Sequence, residues 1–293
     1  MFAKAIEIAA KFTRPIHTIT RNFGFNAVVP GAATLILVNA DGWALTCGHV
    51  AKILLIAEQV NSQYENFKIE RSKIIPGKKA RNQLNQLERT FGYARDATIQ
   101  IENTFVSCVD AMSDCEIRSH PSQDIALIKF NDFTKVECDV FPVFAVDGSE
   151  LKQGKSICRL GFPFPEFCNF EYDVASDSIR WNNDPRNATP QFPIDGMVTR
   201  HLLDGNDVVG FELSTPGLKG QSGGPAFDVE GRVWGIQSST NHLDLDFDID
   251  MQVVRGHVKK PVKDHAFLHV GHCIDVEVLK GFMRSNGVDF IEG

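Results

Sequence analysis

Ser222 lies in the hexapeptide Gly220-Gln221-Ser222-Gly223-Gly224-Pro225, a small hydroxyl set among glycines. A serine oxygen is a weak nucleophile at neutral pH. It needs a base to take its proton and donors to hold the charge that develops on a substrate carbonyl. Glycines let the backbone take left-handed angles and bring bare N–H groups close to a ligand, and here the N–H groups of Gly220 and Ser222 would be the oxyanion donors. Taken alone, the hexapeptide also reads as a glycine-rich hairpin turn. Two stretches upstream supply what the serine lacks. Thr46-Cys47-Gly48-His49-Val50 closes an apolar strand with a histidine, and Asp124-Ile125-Ala126-Leu127-Ile128 opens another with a carboxylate. His49 is the candidate general base and Asp124 the group that would orient its imidazole without taking the proton.

The order of these residues excludes a rival chemistry. Gly220-x-Ser222-x-Gly224 also matches the nucleophile elbow of α/β-hydrolases, but there the order is serine, acid, histidine, with a helix after the serine. Here the residues after Ser222 read as a hairpin, with strands over 226–229 and 232–236 about the turn Glu230-Gly231. Together with Gly31-Ala32-Ala33-Thr34-Leu35 and Asp41-Gly42-Trp43, the three motifs resemble the trypsin-like serine peptidases of the chymotrypsin fold, in their HtrA/DegP-like branch. The resemblance runs from about residue 31 to 235. It implies an all-β fold of two antiparallel six-stranded β-barrels, with an N-terminal helix, a helical insertion and a C-terminal helix around them. It also implies a serine endopeptidase whose triad is His49, Asp124 and Ser222.

The same resemblance assigns further residues. The loop 215–219 would line the S1 pocket with Pro216 and Gly217, and the trypsin-type specificity aspartate would fall at Pro216, so no buried charge is evident there. Ser238, Ser239 and Thr240 would form the strand edge that pairs with substrate backbone, and Ser238 matches a buried serine that supports the triad aspartate. Gln221 stands where digestive relatives carry the aspartate that pairs with a freshly cut N-terminus, so activation by that route is not expected. The residues after the final helix are too few for the PDZ module usual in this branch.

The elements that must position these groups follow from pattern. The 293 residues are 43% apolar, enough for one large core or two small ones. Residues 1–25 are expected to form an amphipathic helix and lead-in, 26–145 the first barrel, and 146–293 the second barrel and terminal helix. Residues 33–38 and 43–46 alternate about the turn Asn39-Ala40-Asp41-Gly42, with His49 just past a strand end where a loop can aim it. The segment 51–95 departs from the family pattern: 51–59 and 82–90 are helix-like, Ile75-Pro76-Gly77 breaks between them, and nine Lys and Arg stand against four Glu. It reads as an inserted helical arm, either a solvated excursion or a dock for a regulatory partner. Residues 97–101 and 104–109 read as strands, and 169–195 as a long polar loop bearing on specificity. Asn187-Ala188-Thr189 fits a glycosylation pattern. Asp275 is placed to cap a helix over 276–285.

Composition narrows the partners. A net charge of −7 argues against nucleic acid, and no apolar run is long enough to span a membrane. Seven cysteines without a Cys-x-x-Cys pair suggest reduced thiols and a cytoplasmic location. His265, His269, His272 and Cys273 suit no common zinc spacing, so neither metal nor cofactor is expected. Asp244, Asp246, Asp248 and Asp250 alternate with apolar residues, a strand with one carboxylate face that either favours basic substrates or discourages aggregation. The expected partner is a protein or peptide substrate. Two further readings stay open: a catalytically silent peptide-binding scaffold on the same fold, and an esterase.

Overall fold

The structure, a computed structural model, describes residues 2–182, 189–256 and 258–293, with the backbone alone at 249, 255 and 264. The glycosylation pattern at Asn187 therefore lies outside the described residues. Helix α1 (Ala3–Phe12) buries Ala5, Ala9 and Phe12, residues spaced to share one face. The ring edge of Phe2 meets Phe227 at 6.4 Å, so the helix is packed onto the second barrel.

The first sheet contains β1 (Thr13–Asn22), β2 (Val28–Leu37), β3 (Trp43–Thr46), β4 (Thr98–Phe105), β5 (Cys115–Ser119) and β6 (Ala126–Phe130), in the order β4-β1-β2-β3-β6-β5. Between β3 and β4 the chain forms α2 (Gly48–Ser72) and α3 (Ala80–Phe91). The second half supplies β7 (Val143–Phe144), β8 (Ser156–Gly161), the hairpin β9 (Phe170–Asp173) and β10 (Ser178–Trp181), β11 (Phe192–Asp204), β12 (Asp207–Leu213), β13 (Pro225–Phe227), β14 (Val233–Arg255) and β15 (Val258–Asp275), then α4 (Val276–Ser285) and β16 (Ile291–Glu292). Six of these strands run β13-β8-β11-β12-β15-β14, and a further β13–β14 pairing closes them into a barrel, with β7 and β16 added outside β14. Strands dominate, and the helices stand at the N-terminus, in the insertion and at the C-terminus, as expected.

Four local expectations are corrected. Residues 13–22, taken as lead-in, are a central strand of the first sheet; Pro15 and the buried polar side chains of His17 and Arg21 break the apolar alternation that would have marked it. The two strands expected over 97–109 are one, β4, because Glu102-Asn103 continues extended while the Asn103 side chain accepts a hydrogen bond from the Thr18 hydroxyl at 2.7 Å. The stretch 169–195 is not a plain loop. It contains the β9–β10 hairpin and the start of β11. His49 lies in the first turn of α2, not in a loop.

The insertion is tied down along part of its length. Tyr64 and Phe67 of α2 are buried with Ile99 of β4, and Phe23, Phe91 and Tyr93 pack around them. Asp177 joins it to the second half: its carboxylate accepts from the hydroxyls of Tyr64 and Tyr172, each at 2.7 Å, and pairs with Arg21 at 2.8 Å and Arg71 at 3.1 Å. Burial pushes the Asp177 carboxyl up, but the two tyrosine hydroxyls and Arg21 outweigh it and hold it at about 2.

Candidate active site

Strand register brings the histidine and the aspartate together. Thr46 at the end of β3 pairs with Ala126 at the start of β6, so the chain leaving β3 turns beside the residues entering β6. Helix α2 starts there with Cys47 at its N-cap, and no side chain of its own caps it. Asp124 fills that role from 75 residues away. Its Oδ1 accepts the backbone N–H of His49 at 2.8 Å, and its Oδ2 lies 2.8 Å from the His49 ring Nδ1. One carboxylate thus satisfies an orphan donor of the helix and holds the imidazole. The Ser238 hydroxyl donates to Asp124 Oδ2 at 2.5 Å, the supporting role assigned to it from sequence. Burial raises the Asp124 carboxyl, but the hydrogen bonds from the His49 ring, the Ser238 hydroxyl and the His49 N–H carry it below its usual value. It stays ionised. The His49 side chain is 48% exposed, open to a ligand on its far side.

The serine loop is held from the opposite barrel. The Thr34 N–H in β2 donates to the Ser222 carbonyl at 3.0 Å, and the Thr34 hydroxyl donates to the Gly220 carbonyl at 2.8 Å. Thr34 is fully buried. Gly220 and Gly223 have φ of +99° and +88°, and a side chain at Gly223 would collide with the Thr34 carbonyl, so this close approach requires glycine. Gln221 is buried and works as an amide tie. It accepts from the Leu218 N–H at 3.0 Å and donates to the Phe192 carbonyl at 3.0 Å. With these carbonyls engaged, the N–H groups of Gly220 and Ser222 have no protein acceptor among the described residues. That is the arrangement an oxyanion hole requires.

The Ser222 hydroxyl donates to the Ser238 carbonyl at 3.3 Å, and no hydrogen bond joins it to His49 in this conformation. Ser238 is thus the hub: its carbonyl touches the serine and its hydroxyl touches the aspartate that holds the histidine.

Beside Ser222 opens a cavity of about 410 Å³ lined by Pro216, Gly217, Gln237, Ser238, Ser239 and Thr240, with His242 and His269 at its edge. All five residues assigned to substrate binding from sequence are therefore here. The expectation that no charge is buried near Pro216 is corrected. Arg159 of β8 is fully buried behind the lining and donates to the carbonyls of Thr215 at 3.0 Å and Pro216 at 3.1 Å, and to Gln237 Oε1 at 2.5 Å. No carboxylate contacts it among the described residues; these oxygens, with the Thr215 hydroxyl at 2.6 Å and the charge of Asp195 at longer range, compensate the buried cation. Gln237 in turn donates to the Ser239 carbonyl at 2.6 Å and lies so close to Gly217 that a side chain there would collide with it. Sequence reading missed the roles of Thr34 and Arg159, and it gave Gln237 only as the start of the substrate-pairing strand edge. Their only mark is a polar residue inside an otherwise apolar strand.

Cys47, His49 and Asp124 place ligand-type atoms within 4.8 Å of one another. The Cys47 thiol, however, is buried and donates to the Gln237 carbonyl at 3.1 Å, and burial first, then the Asp124 charge, pushes its pKa well above the usual value. A thiol held protonated is a poor metal ligand. Among the histidines of β15, His265 contacts Asp248 at 2.6 Å, His269 contacts His242 at 2.5 Å and His272 contacts Ser239 at 3.2 Å, three separate places along the strand.

Comparison with known proteins gives the family. The profile of the trypsin-like peptidase domain matches residues 33–236, more than half of the chain. No curated protein matches. Solved structures that resemble it include the HtrA-type protease AlgW with tripeptide, at 13% identity and a TM-score of 0.47, covering 97% of this chain and 63% of that one. A variant of the same protease with decapeptide matches at 11% identity and a TM-score of 0.47, covering 97% and 66%. The chain thus spans about two thirds of the length of these proteases. The chain belongs to the family of trypsin-like peptidase domains.

Proposed function

We propose that the protein is a serine endopeptidase acting through Ser222, His49 and Asp124. The observation that carries this reading is the Ser238 hub, which puts the serine hydroxyl and the aspartate–histidine pair on two ends of one residue. Rotation of the Ser222 side chain from the Ser238 carbonyl toward Nε2 of His49 completes the relay, a tightening common when substrate arrives. His49 then takes the hydroxyl proton as the oxygen bonds to the substrate carbonyl carbon. Asp124 keeps the Nδ1–H tautomer and stabilises the imidazolium without being protonated. The N–H groups of Gly220 and Ser222 hold the oxyanion. As the C–N bond breaks, His49 returns the proton to the leaving amine, leaving an acyl-enzyme on Ser222 that water hydrolyses by the reverse relay.

One observation favours a second reading. The serine hydroxyl is engaged with Ser238 and not with His49, which is what a silent peptide-binding scaffold would also show. Casein and a panel of short esters incubated with wild type and Ser222→Ala separate the possibilities. Cleavage of casein lost in the variant supports the endopeptidase, ester turnover alone supports an esterase, and no turnover by wild type supports the scaffold.

A further inference from the structure

β14 changes character at the active site. At Gly235 and Ile236 it is paired on both sides, with β13 and with β15, and Val233 before them pairs with β13 and with β7. From Ser238 onward β15 is its one neighbour among the described residues, so its other edge is open as far as Arg255. A substrate whose scissile carbonyl sits at Ser222 lies beside Ser238, and along β14 the edge open to it among the described residues is the outward one. After a register shift at Ser238, residues 239–244 make a regular edge of about 17 Å at ~3.3 Å per residue. A register shift between Asp244 and Asp248, with Asp246 at φ +55°, then ends the regular edge.

The two faces of this ribbon differ. Residues directly opposite in the ladder share a face. Leu243 opposes Leu268 and Met251 opposes Val262, all exposed, while Asp250 opposes Lys263 and Asp248 opposes His265. Lys263 and His265 both pair with Asp248, and no hydrogen bond or ion pair engages the carboxylates of Asp246 and Asp250 among the described residues. Beyond the shift an added strand therefore meets Asp248 and Asp250 on one face and Met251 on the other, whereas before it Asp244 stands opposite the exposed Phe267.

We propose that the outer edge of β14 is an exosite for the substrate segment N-terminal to the cleaved bond, and that it selects an amphipathic extended segment with basic and apolar residues in alternation. The direction follows from antiparallel addition to β14, the better-bonded mode, in which moving outward along β14 means moving toward the substrate N-terminus. The alternation follows from the two faces. The inference rests on Ser222 as the nucleophile, and its test is built to fail separately from that reading.

The test uses quenched peptides sharing one cleavable core, extended by six residues on either side. N-terminal alternating Lys-Val should raise kcat/KM about tenfold over the core, mainly through KM, with the gain fading at high salt. Equal gains from a Lys-Lys-Lys-Val-Val-Val block, from alternating Glu-Val, or from the same Lys-Val sequence on the C-terminal side would overturn it. So would a gain that survives in the combined Asp246→Asn, Asp248→Asn, Asp250→Asn variant. Binding of the same peptides to Ser222→Ala protein, read by fluorescence anisotropy, runs in parallel and needs no catalysis. If wild type cleaves nothing yet Ser222→Ala binds the N-terminal Lys-Val peptide preferentially, the exosite stands and the endopeptidase reading falls. Sedimentation completes the set: a dimer that the triple variant dissociates and the peptides cannot compete with would assign the edge to a second copy instead.

Discussion

One strand, β14, is two regions with different physics. Its inner part, 233–237, buries Val233, Trp234, Ile236 and Gln237 between strands on both sides. Its outer part exposes Leu243, Leu245, Phe247, Met251 and Val254 with a neighbour on one side only. The apolar residue types are similar in both parts, but the outer part alternates them with Asp244, Asp246, Asp248 and Asp250 and lacks the second neighbour. The candidate active site sits at the junction, Ser238 to Thr240, where the second neighbour is lost. A strand edge left open beside a nucleophile is a place for another chain to pair.

The sharpest way to break this comparison is to remove chemistry from the junction itself. Ser222→Ala should lower kcat by about 10⁶-fold, the scale known from subtilisin, while circular dichroism is unchanged. Next comes stability across the two regions. Ile236→Ala should cost about 2–5 kcal/mol in urea unfolding, whereas Phe247→Ala should stay within about 0.5 kcal/mol. Equal costs would mean that the outer part is buried in solution.

The buried regions also predict a pH signature of similar size. Burial lowers His17 to about 4 from 6.5, so the fold keeps it neutral while the unfolded chain gains a proton, and stability is lost as pH falls from 6.5 to 4. Burial raises Asp275 to about 6 from 3.8, with Glu277 adding repulsion. The fold there keeps a proton that the unfolded chain releases, and stability is lost as pH rises from 3.8 to 6. The two oppose each other, leaving wild type nearly flat across that window. His17→Asn should lose about 2 kcal/mol as pH rises from 4 to 6, and Asp275→Asn, which keeps a capping side chain, should gain about as much. Smallest is Thr34→Val, which unties the Gly220 carbonyl: kcat should fall about 10²-fold with KM little changed.

What could be read from sequence and what could not divide along the same physical line. The motifs around Ser222, His49 and Asp124, which the structure brings near one another, could be read because each carries its context within five or six residues. The cap of α4 by Asp275 was legible for the same reason, with Oδ1 accepting the Glu277 N–H at 2.8 Å. The helical start at Gly48 was not, because its cap, Asp124, is remote. Arg159 was invisible as a pocket residue because its acceptors lie 56 to 78 residues away. β1 was missed because its inward side chains include His17 and Arg21, whose partners, Thr189 and Asp177, come from the second half.

The most direct test of the central claim is intact-protein and peptide mass spectrometry after exposure to a fluorophosphonate. The account predicts one covalent adduct, on Ser222, formed by wild type and by Ser239→Ala but lost or greatly slowed in His49→Ala. No adduct on wild type, or an adduct on Ser222 formed just as fast without His49, would contradict it.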